Sequence, residues 1–477
     1  MQICVSVNGK DDYICVGQGI SASCPALNRQ DIINIKRSDM NRRFTIISAF
    51  AAAALIFASS LARAQVTMQK ISDDRMRAAG IHMPYKFCGS VMTPAPEGYE
   101  AFYISHLGRH GSRYNTNSRE LENLVKPLRE CDSAGVLNDT GKELLRRLEI
   151  LYQESLGRFG ALSDRGAREH RQIADRMYHR YPEVFSDPER KNVDATSSTS
   201  LRCVLSMANF AEALVKDDTT LTVSFSADDR TKKYLMKNTG IGDIEDARRE
   251  IMSPIRRAEF NPDRFFEAIA TDQDKLREII RDRRHFCKDL YVAGGIVSCV
   301  DLEDRADLYK FFTNEELYIL AMLDSDDFYG DHANSKEFGK TRVAMADEVV
   351  QDIIIRADEA ISMDSSKAAD IRFSHDWMIS PLLALIGIEG MYDSYSFTEA
   401  GEHWMTSDYI PMAANLQLVF FRSDDNDEVL VKVLHNEKEV MLPGLKSHSG
   451  PYYRWSDMKP YLQGRIRQFT SASPGIQ

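Results

Sequence analysis

Residues 98–116, GYEAFYISHLGRHGSRYNT, constrain the chain more than any other stretch. Tyr99, Phe102, Tyr103 and Ile104 are aromatic or β-branched, so Gly98–Ser105 reads as a buried strand. The strand runs out at Gly108, and Arg109, His110 and Arg113 follow at once. A loop at the carboxyl end of a strand in an open α/β sheet is where such folds bind ligands. Two guanidiniums flanking an imidazole there make a compact anion site, with forks shaped for phosphate oxygens. They also oppose protonation of the imidazole, which leaves it neutral and nucleophilic. The plainer reading is a basic surface loop, and the rest of the chain has to decide.

Arg109-His110-Gly111-Ser112-Arg113 matches the pattern R-H-G-x-R at every fixed position. The stretch resembles the signature of the histidine acid phosphatases, the branch of the histidine phosphatase superfamily that includes phytases and multiple inositol-polyphosphate phosphatases. The flanking Ile104-Ser105-His106 and Ser112-Arg113-Tyr114 look more like the inositol-polyphosphate members. The proline that usually follows in fungal and enteric phytases is absent.

Three later segments extend the resemblance. Asp370–Ser374 reads as a strand, His375-Asp376 follows, and Trp377–Ile386 begins an apolar helix. Taken alone, Asp376 could be no more than a helix N-cap. The junction also resembles the family's proton-donor motif, H-D in phytases and acid phosphatases and typically H-A-E in inositol-polyphosphate phosphatases. The chain thus pairs the first loop of one group with the donor of the other. Val193–Thr196 reads as a short strand, followed by Ser197–Ser200 and Arg202. A hydroxyl-rich turn opening a helix is either simple capping or an anion seat. It resembles the family junction that carries a phosphate-binding arginine. Met412–Gln417, with its Ala-Ala-Asn-Leu, is similar to the family as well.

The resemblance covers about residues 85–470. It implies His110 as nucleophile and Asp376 as proton donor, with Arg109, Arg113, Arg202 and His375 binding phosphate and no metal or other cofactor. The implied activity is hydrolysis of a small-molecule phosphomonoester through a phosphohistidine, foremost of inositol polyphosphates. An acid that must start protonated further suggests an acidic pH preference. Two alternatives stand beside it: a broad acid phosphatase acting on sugar phosphates or nucleotides, and a non-catalytic phosphate-binding module. A pure binder needs neither His110 nor Asp376. The implied fold is the family's phosphoglycerate-mutase-like α/β fold: a mixed sheet with helices on both faces and an inserted helical domain. Periodicity alone predicts α/β with a helical insertion.

Two acidic segments need a separate account. Asp331-His332-Ala333-Asn334 superficially looks like H-A-E, but Asn334 cannot donate as an acid and no strand precedes it; a polar loop is expected. Asp324–Asp331 suggests calcium, yet the EF-hand loop needs Gly where Tyr329 stands, so a solvated loop is expected there too.

Between these landmarks, Asn117–Ala134, Thr140–Leu156 and Asp164–Tyr181 have apolar residues at helical spacing. Thr219–Ala227 alternates as a strand, and Lys232–Asp307 is mostly helical and strongly charged. The expected organisation is 65–230 as the first part of the α/β domain, 231–345 as a mainly helical insertion and 346–477 as the second part.

Met40–Gln65 has the form of a secretory signal: Arg42-Arg43, an apolar run over Phe44–Leu61, and Ala62-Arg63-Ala64 as a cleavage site. The apolar run is near the minimum for a membrane anchor, but the cleavage-site residues and small alanines favour removal. Export to the periplasm or medium is the expectation, with no stable membrane insertion after cleavage at 64 and with 1–39 a mis-assigned extension. Cleavage would remove seven basic and four acidic residues, leaving 53 against 67 and a net charge of −14 in place of −11. Such a chain does not bind nucleic acid by bulk attraction. Five cysteines would remain, Cys88, Cys131, Cys203, Cys287 and Cys299, without a C-x-x-C pair for zinc. Export permits disulfides, and Cys287–Cys299 has the most plausible spacing; Cys203 falls in an apolar helical pattern and reads as core.

The signal makes a direct prediction. Mature protein recovered from the periplasm should begin at or near Gln65, and N-terminal sequencing that finds Met1 or an uncleaved Met40 refutes it.

Overall fold

The computed structural model describes residues 3–6, 13–16 and 67–471, apart from 90, 239 and 363. The chain divides into two units, 1–62 and 63–477. In the first, β1 (Ile3–Ser6) and β2 (Tyr13–Val16) form an antiparallel pair, with Ile3 opposite Val16. Residues 40–64, with the expected signal, lie outside the described residues. No described helix is long and apolar enough to cross a membrane.

The second unit is built on β3 (Tyr99–Arg109), eleven residues long and buried from Ala101 onward. Its aromatic and β-branched residues suit a strand covered on both faces. Tyr103 and Leu107 pack into one hydrophobic cluster and Ile104 into another, as the two-residue period of a strand requires. Around β3 lie β4 (Asn192–Ser197), β5 (Thr222–Ser226), β6 (Lys367–Ser374), β7 (Asn415–Ser423), β8 (Asn426–His435), β9 (Lys438–Glu439) and β10 (Tyr452–Arg454). The eight strands run in the order β10-β8-β7-β3-β6-β4-β5, with β9 on β8. From β3 to β5 the pairing is parallel, and from β3 to β10 it is antiparallel.

Helices cover both faces. On one, α3 (Asp164–Arg180) and α4 (Leu201–Asp217) bury Ile173 and Phe210 against Val193, Ile371 and Phe373 of the sheet. The other face carries a larger cluster shared by α1 (Arg119–Ser133), α2 (Asp139–Ser155), α9 (Asp376–Ile386) and α10 (Trp455–Thr470). The chain between β5 and β6 joins this cluster. It includes α5 (Ile241–Glu259), α6 (Arg283–Cys299), α7 (Asn314–His332) and α8 (Asp347–Ile361). The structure is thus the expected mixed sheet with helices on both faces.

Two expectations are corrected. Asp324–Asp331 is no solvated loop: it is the buried second half of α7, with Asp326, Asp327 and Asp331 all below a tenth exposed. Its carboxylates are met from elsewhere in the chain. Arg248 donates to Asp331 at 2.7 Å, Lys288 to Asp327 at 3.2 Å, and the Gly401 amide to Asp326 at 2.6 Å. Buried aspartates paired in this way need no water. The second correction concerns the disulfide. Cys287 and Cys299 are both free and both on α6. Twelve residues of one helix place them about 18 Å apart, far beyond the roughly 7 Å Cα separation a disulfide bridges.

Protein denatured without reductant should therefore yield both Cys287 and Cys299 as alkylated peptides. A cross-linked 287–299 peptide in the mass spectrum would contradict the helix.

Candidate active site

Three neighbouring parallel strands end at one place. Arg109 of β3 lies opposite Ser374 of β6, and Ser197 of β4 opposite Phe373. The ladder continues a step past the strands: the His110 amide donates to the Ser374 carbonyl at 2.9 Å, and the Ser198 amide to the Phe373 carbonyl at 3.0 Å. Sheet register thus brings the 109–113 loop, the 197–202 junction and His375-Asp376 side by side. The loop's other edge is held by 412–415, where Arg109 donates its amide to the Ala414 carbonyl and Ala413 its amide to the His110 carbonyl.

The 109–113 turn needs its glycine for space. A Cβ on Gly111 would lie 2.6 Å from the carbonyl oxygen of Gly166 and 2.7 Å from its Cα. Three residues further along α3, Glu169 accepts hydrogen bonds from the Ser112 amide and hydroxyl, both at 2.7 Å, and from the Tyr85 amide at 2.9 Å. Burial pushes the Glu169 carboxyl up, and those donors work against the shift.

His110 is buried, and its Nδ1 lies 2.9 Å from the carbonyl oxygen of its own neighbour, Gly111. A carbonyl only accepts, so Nδ1 carries the proton and Nε2 keeps its lone pair. Burial, followed by the charges of Arg109 and Arg202, holds the imidazole well below its ordinary pKa. His375 is equally constrained. Arg202 donates to its Nδ1 at 3.3 Å, which leaves Nε2–H to donate to Ser198 Oγ at 3.2 Å. Its ring stacks on Trp377 with centroids 3.9 Å apart and planes 9° from parallel. Burial and Arg202 bring it down to about 3. Both imidazoles are therefore neutral at any moderate pH.

Arg109 is 0 % exposed. Its guanidinium donates to the carbonyls of Ile81 at 2.6 Å and Ile410 at 2.9 Å, and to Asp376 Oδ2 at 3.1 Å. Arg113 donates to the Tyr114 carbonyl at 2.9 Å, and its Nη2 lies 3.5 Å from His82 Nε2. Burial and the neighbouring Arg109 bring Arg113 down to about 10, so it remains a cation. Among the described residues neither Arg113 nor Arg202 has a carboxylate partner, and the buried Nε of each makes no hydrogen bond. Buried donors without acceptors beside two unneutralised guanidiniums suit an anion. Helices α4 and α9 begin here too, and neither Ser200 nor His375 caps its helix through its side chain. Their amides and dipole ends add to the same field.

For Asp376, burial favours the neutral acid, but Arg109, then His332, His375 and Arg113, outweigh it. The carboxyl is held well below the usual range and stands as an anion against Arg109. The sequence-based expectation that it starts protonated does not describe this state.

All six predicted residues, Arg109, His110, Arg113, Arg202, His375 and Asp376, thus meet in one cluster. His82 and Glu169 belong to it as well and carry no sequence signal of their own, and so does Ser198 of the hydroxyl-rich turn. His332 is also misplaced by the sequence reading. It is the last residue of α7 rather than part of a polar loop, and Asp376 is among the charges that act on it. Among the described residues one group has ligand atoms close enough to share a metal ion: Asp175, His179 and Asp217, within 4.8 Å of one another. Asp217 ends α4 while Arg202 begins it, which separates the two sites by about 22 Å along the helix.

A family model described as histidine phosphatase superfamily (branch 2) matches residues 104–436. Among solved structures, the multiple inositol polyphosphate phosphatase of Bifidobacterium longum in complex with phosphate superimposes with a TM-score of 0.69 at 17 % identity, covering 81 % of this chain and 97 % of that one. The same protein in complex with inositol hexasulfate gives 0.67, also at 17 % identity and the same coverage. The phytase from D. castellii gives 0.61 at 14 % identity, covering 84 % and 88 %. These likenesses concern the fold. No curated protein sequence matches the chain.

Gly111→Ala forces a methyl into the backbone of Gly166 and should cost about 1–3 kcal/mol. The measurement is the urea midpoint at unchanged slope; a midpoint equal to that of the unsubstituted protein would show that the turn tolerates a side chain.

Proposed function

The chain belongs to the histidine phosphatase superfamily, branch 2, and on that premise we propose that it hydrolyses phosphomonoesters through a phosphohistidine at His110, with inositol polyphosphates as the foremost substrates. The observation that carries the proposal is a neutral imidazole, with Nε2 unprotonated, set among three arginines of which two lack a carboxylate partner among the described residues. The inositol assignment draws on the fold shared with an inositol polyphosphate phosphatase and a phytase.

Arg113 and Arg202 bind the phosphoryl oxygens, joined by Arg109 and by the amides that open α4 and α9. Charge spread over those oxygens in the transition state meets fixed donors that need no reorganisation. His110 Nε2 attacks phosphorus in line with the ester oxygen. The P–O bond breaks, its electron pair goes to the alkoxide, and Asp376 supplies the proton that makes it an alcohol. Water then attacks the phosphohistidine, gives its proton to Asp376, and releases phosphate and neutral His110. Three guanidiniums supply the charge compensation that other phosphatases take from metal ions, so the proposed chemistry runs without one.

The ion pair with Arg109 raises the question of where the first proton comes from. A bound phosphate competes for the Arg109 guanidinium and places negative charge beside Asp376, and both effects raise the carboxyl's pKa. An ester monoanion also carries the proton itself, since its second ionisation lies near about 6.

His110→Ala should lower kcat by about 10³-fold or more while phosphate still binds, and near-normal turnover would remove His110 as nucleophile. Asp376→Asn should slow inositol phosphates by about 10²–10⁴-fold but p-nitrophenyl phosphate by less than about tenfold, because a phenolate leaves without protonation. His332→Ala should affect both substrates alike; an alkyl-selective loss there would transfer the acid role to His332. For wild-type enzyme, kcat/KM should fall as pH rises through about 6, following loss of the substrate's proton. On the acid side it should hold until His375 begins to protonate near about 3. EDTA should leave all of these rates unchanged, and a loss restored by a divalent ion would point to another mechanism.

A further inference from the structure

A cavity of about 310 Å³ opens between α5, α6 and α7 and shares no lining residue with the catalytic cluster. It borders the same N-terminal segment, however. Tyr291, in its wall, donates to the Ala78 carbonyl, and the Asp324 carboxylate packs against Gly80, whose φ of 54° and lack of a Cβ make that approach possible. Ile81 and His82, the next two residues, contact Arg109 and Arg113. Residues 78–82 therefore touch residues of both sites.

The charges in the cavity are of two kinds. Asp327 is compensated several times over, by Arg248, Arg256 and Lys288. Asp324 is different: among the described residues nothing donates a hydrogen bond to its carboxylate, although Lys288, Arg256 and Arg248 act on it at a distance. At the exposed rim stand Arg257 and Arg284, neither with a carboxylate partner among the described residues. The Arg284 guanidinium is held in place by donating to the carbonyls of Phe260 at 2.9 Å and Arg257 at 3.2 Å. In a chain of net charge −11 this rim is a local excess of positive charge.

We propose that this cavity binds a phosphorylated polyol at a second, non-catalytic site, with the phosphate on Arg257 and Arg284 and ring hydroxyls on Asp324. Guanidinium forks match phosphate oxygens, and an acceptor-only carboxylate matches hydroxyl donors. A bare phosphate would occupy the rim and leave Asp324 without a partner. A ligand phosphorylated at every position would press negative charge onto Asp324. A molecule carrying both groups satisfies both ends, and the volume falls within the small-molecule range.

The test uses the full chain with His110→Ala, titrated calorimetrically with myo-inositol monophosphate and, separately, with inorganic phosphate. Two binding events are expected for the inositol ester. One belongs to the catalytic cluster and is lost with Arg113→Ala and Arg202→Ala. The other should weaken about tenfold or more when Arg257→Ala and Arg284→Ala are combined. Asp324→Asn should weaken the second event for the inositol ester and not for inorganic phosphate. Failure of the phosphatase proposal would leave that second event intact, so the two outcomes are distinct. The absence of any event that weakens when Arg257→Ala and Arg284→Ala are combined overturns the proposal. Lys288 gives an independent measure without any change to the cavity. Burial and Arg256 bring its ammonium down to about 8, so it acylates readily, and bound inositol monophosphate should slow that labelling. Unchanged Lys288 labelling at saturating ester also overturns the proposal.

Discussion

The ion pair between Arg109 and Asp376 is what the rest of the site depends on. A guanidinium with no exposure loses several kcal/mol of hydration, which is tolerable only when it is paired and hydrogen-bonded. Here both Nη atoms are taken, by carbonyls at Ile81 and Ile410 and by the carboxylate that opens α9, while the buried Nε makes no hydrogen bond. Those partners come from before β3, from before β7 and from the end of β6, so one side chain ties together segments some 330 residues apart in sequence. Removing the acceptor strands a buried cation, at a cost of about 3–5 kcal/mol. Asp376→Asn keeps an acceptor oxygen in place, which is why it suits a test of proton transfer better than Asp376→Ala.

Much of this was legible in the sequence because it is local. A strand that stops at Gly108, a helix that starts after His375 and a hydroxyl-rich turn before Arg202 are all written within a few residues, and the parallel pairing of β3, β6 and β4 brings their ends together. What escaped notice is what depends on distant partners. His82 precedes β3 in a stretch with no strong periodicity, and its role follows only from the position of Arg113. Glu169 reads as one more charged residue of an amphipathic helix until Ser112 arrives beside it. The acidic half of α7 looks solvated because Arg248, Lys288 and the Gly401 amide are remote in sequence. Cys287 and Cys299 suggested a bridge by spacing, while α6 keeps them apart by its rise.

Charge is divided in the same way between global and local scales. The chain as a whole is acidic and repels an anionic substrate at long range. Attraction takes over within about a Debye length of the cluster, where among the described residues two guanidiniums have no carboxylate partner and the N-terminus of α4 has no acidic residue in its first turn. Burial of the imidazoles supports this arrangement. A protonated His110 would add attraction for phosphate but would have no lone pair with which to attack it, and burial together with Arg109 and Arg202 keeps it neutral.

The position of the acid follows from the same field. Asp376 is the first residue of α9, so the helix dipole and Arg109 both favour its anion. An acid held in that form cannot wait protonated for its substrate and must be charged during each cycle. In the proposed cycle the ester monoanion brings one proton, which passes through Asp376 to the departing alcohol. The water that cleaves the phosphohistidine returns one proton to Asp376, and the phosphate leaves with it as a monoanion. Ester monoanion and water become alcohol and phosphate monoanion, and no proton is drawn from bulk solvent. Under that balance the strength of the Arg109–Asp376 pair does not oppose turnover. It resets the carboxylate after each phosphate departs, and it confines protonation of Asp376 to the interval in which a phosphoryl group is bound.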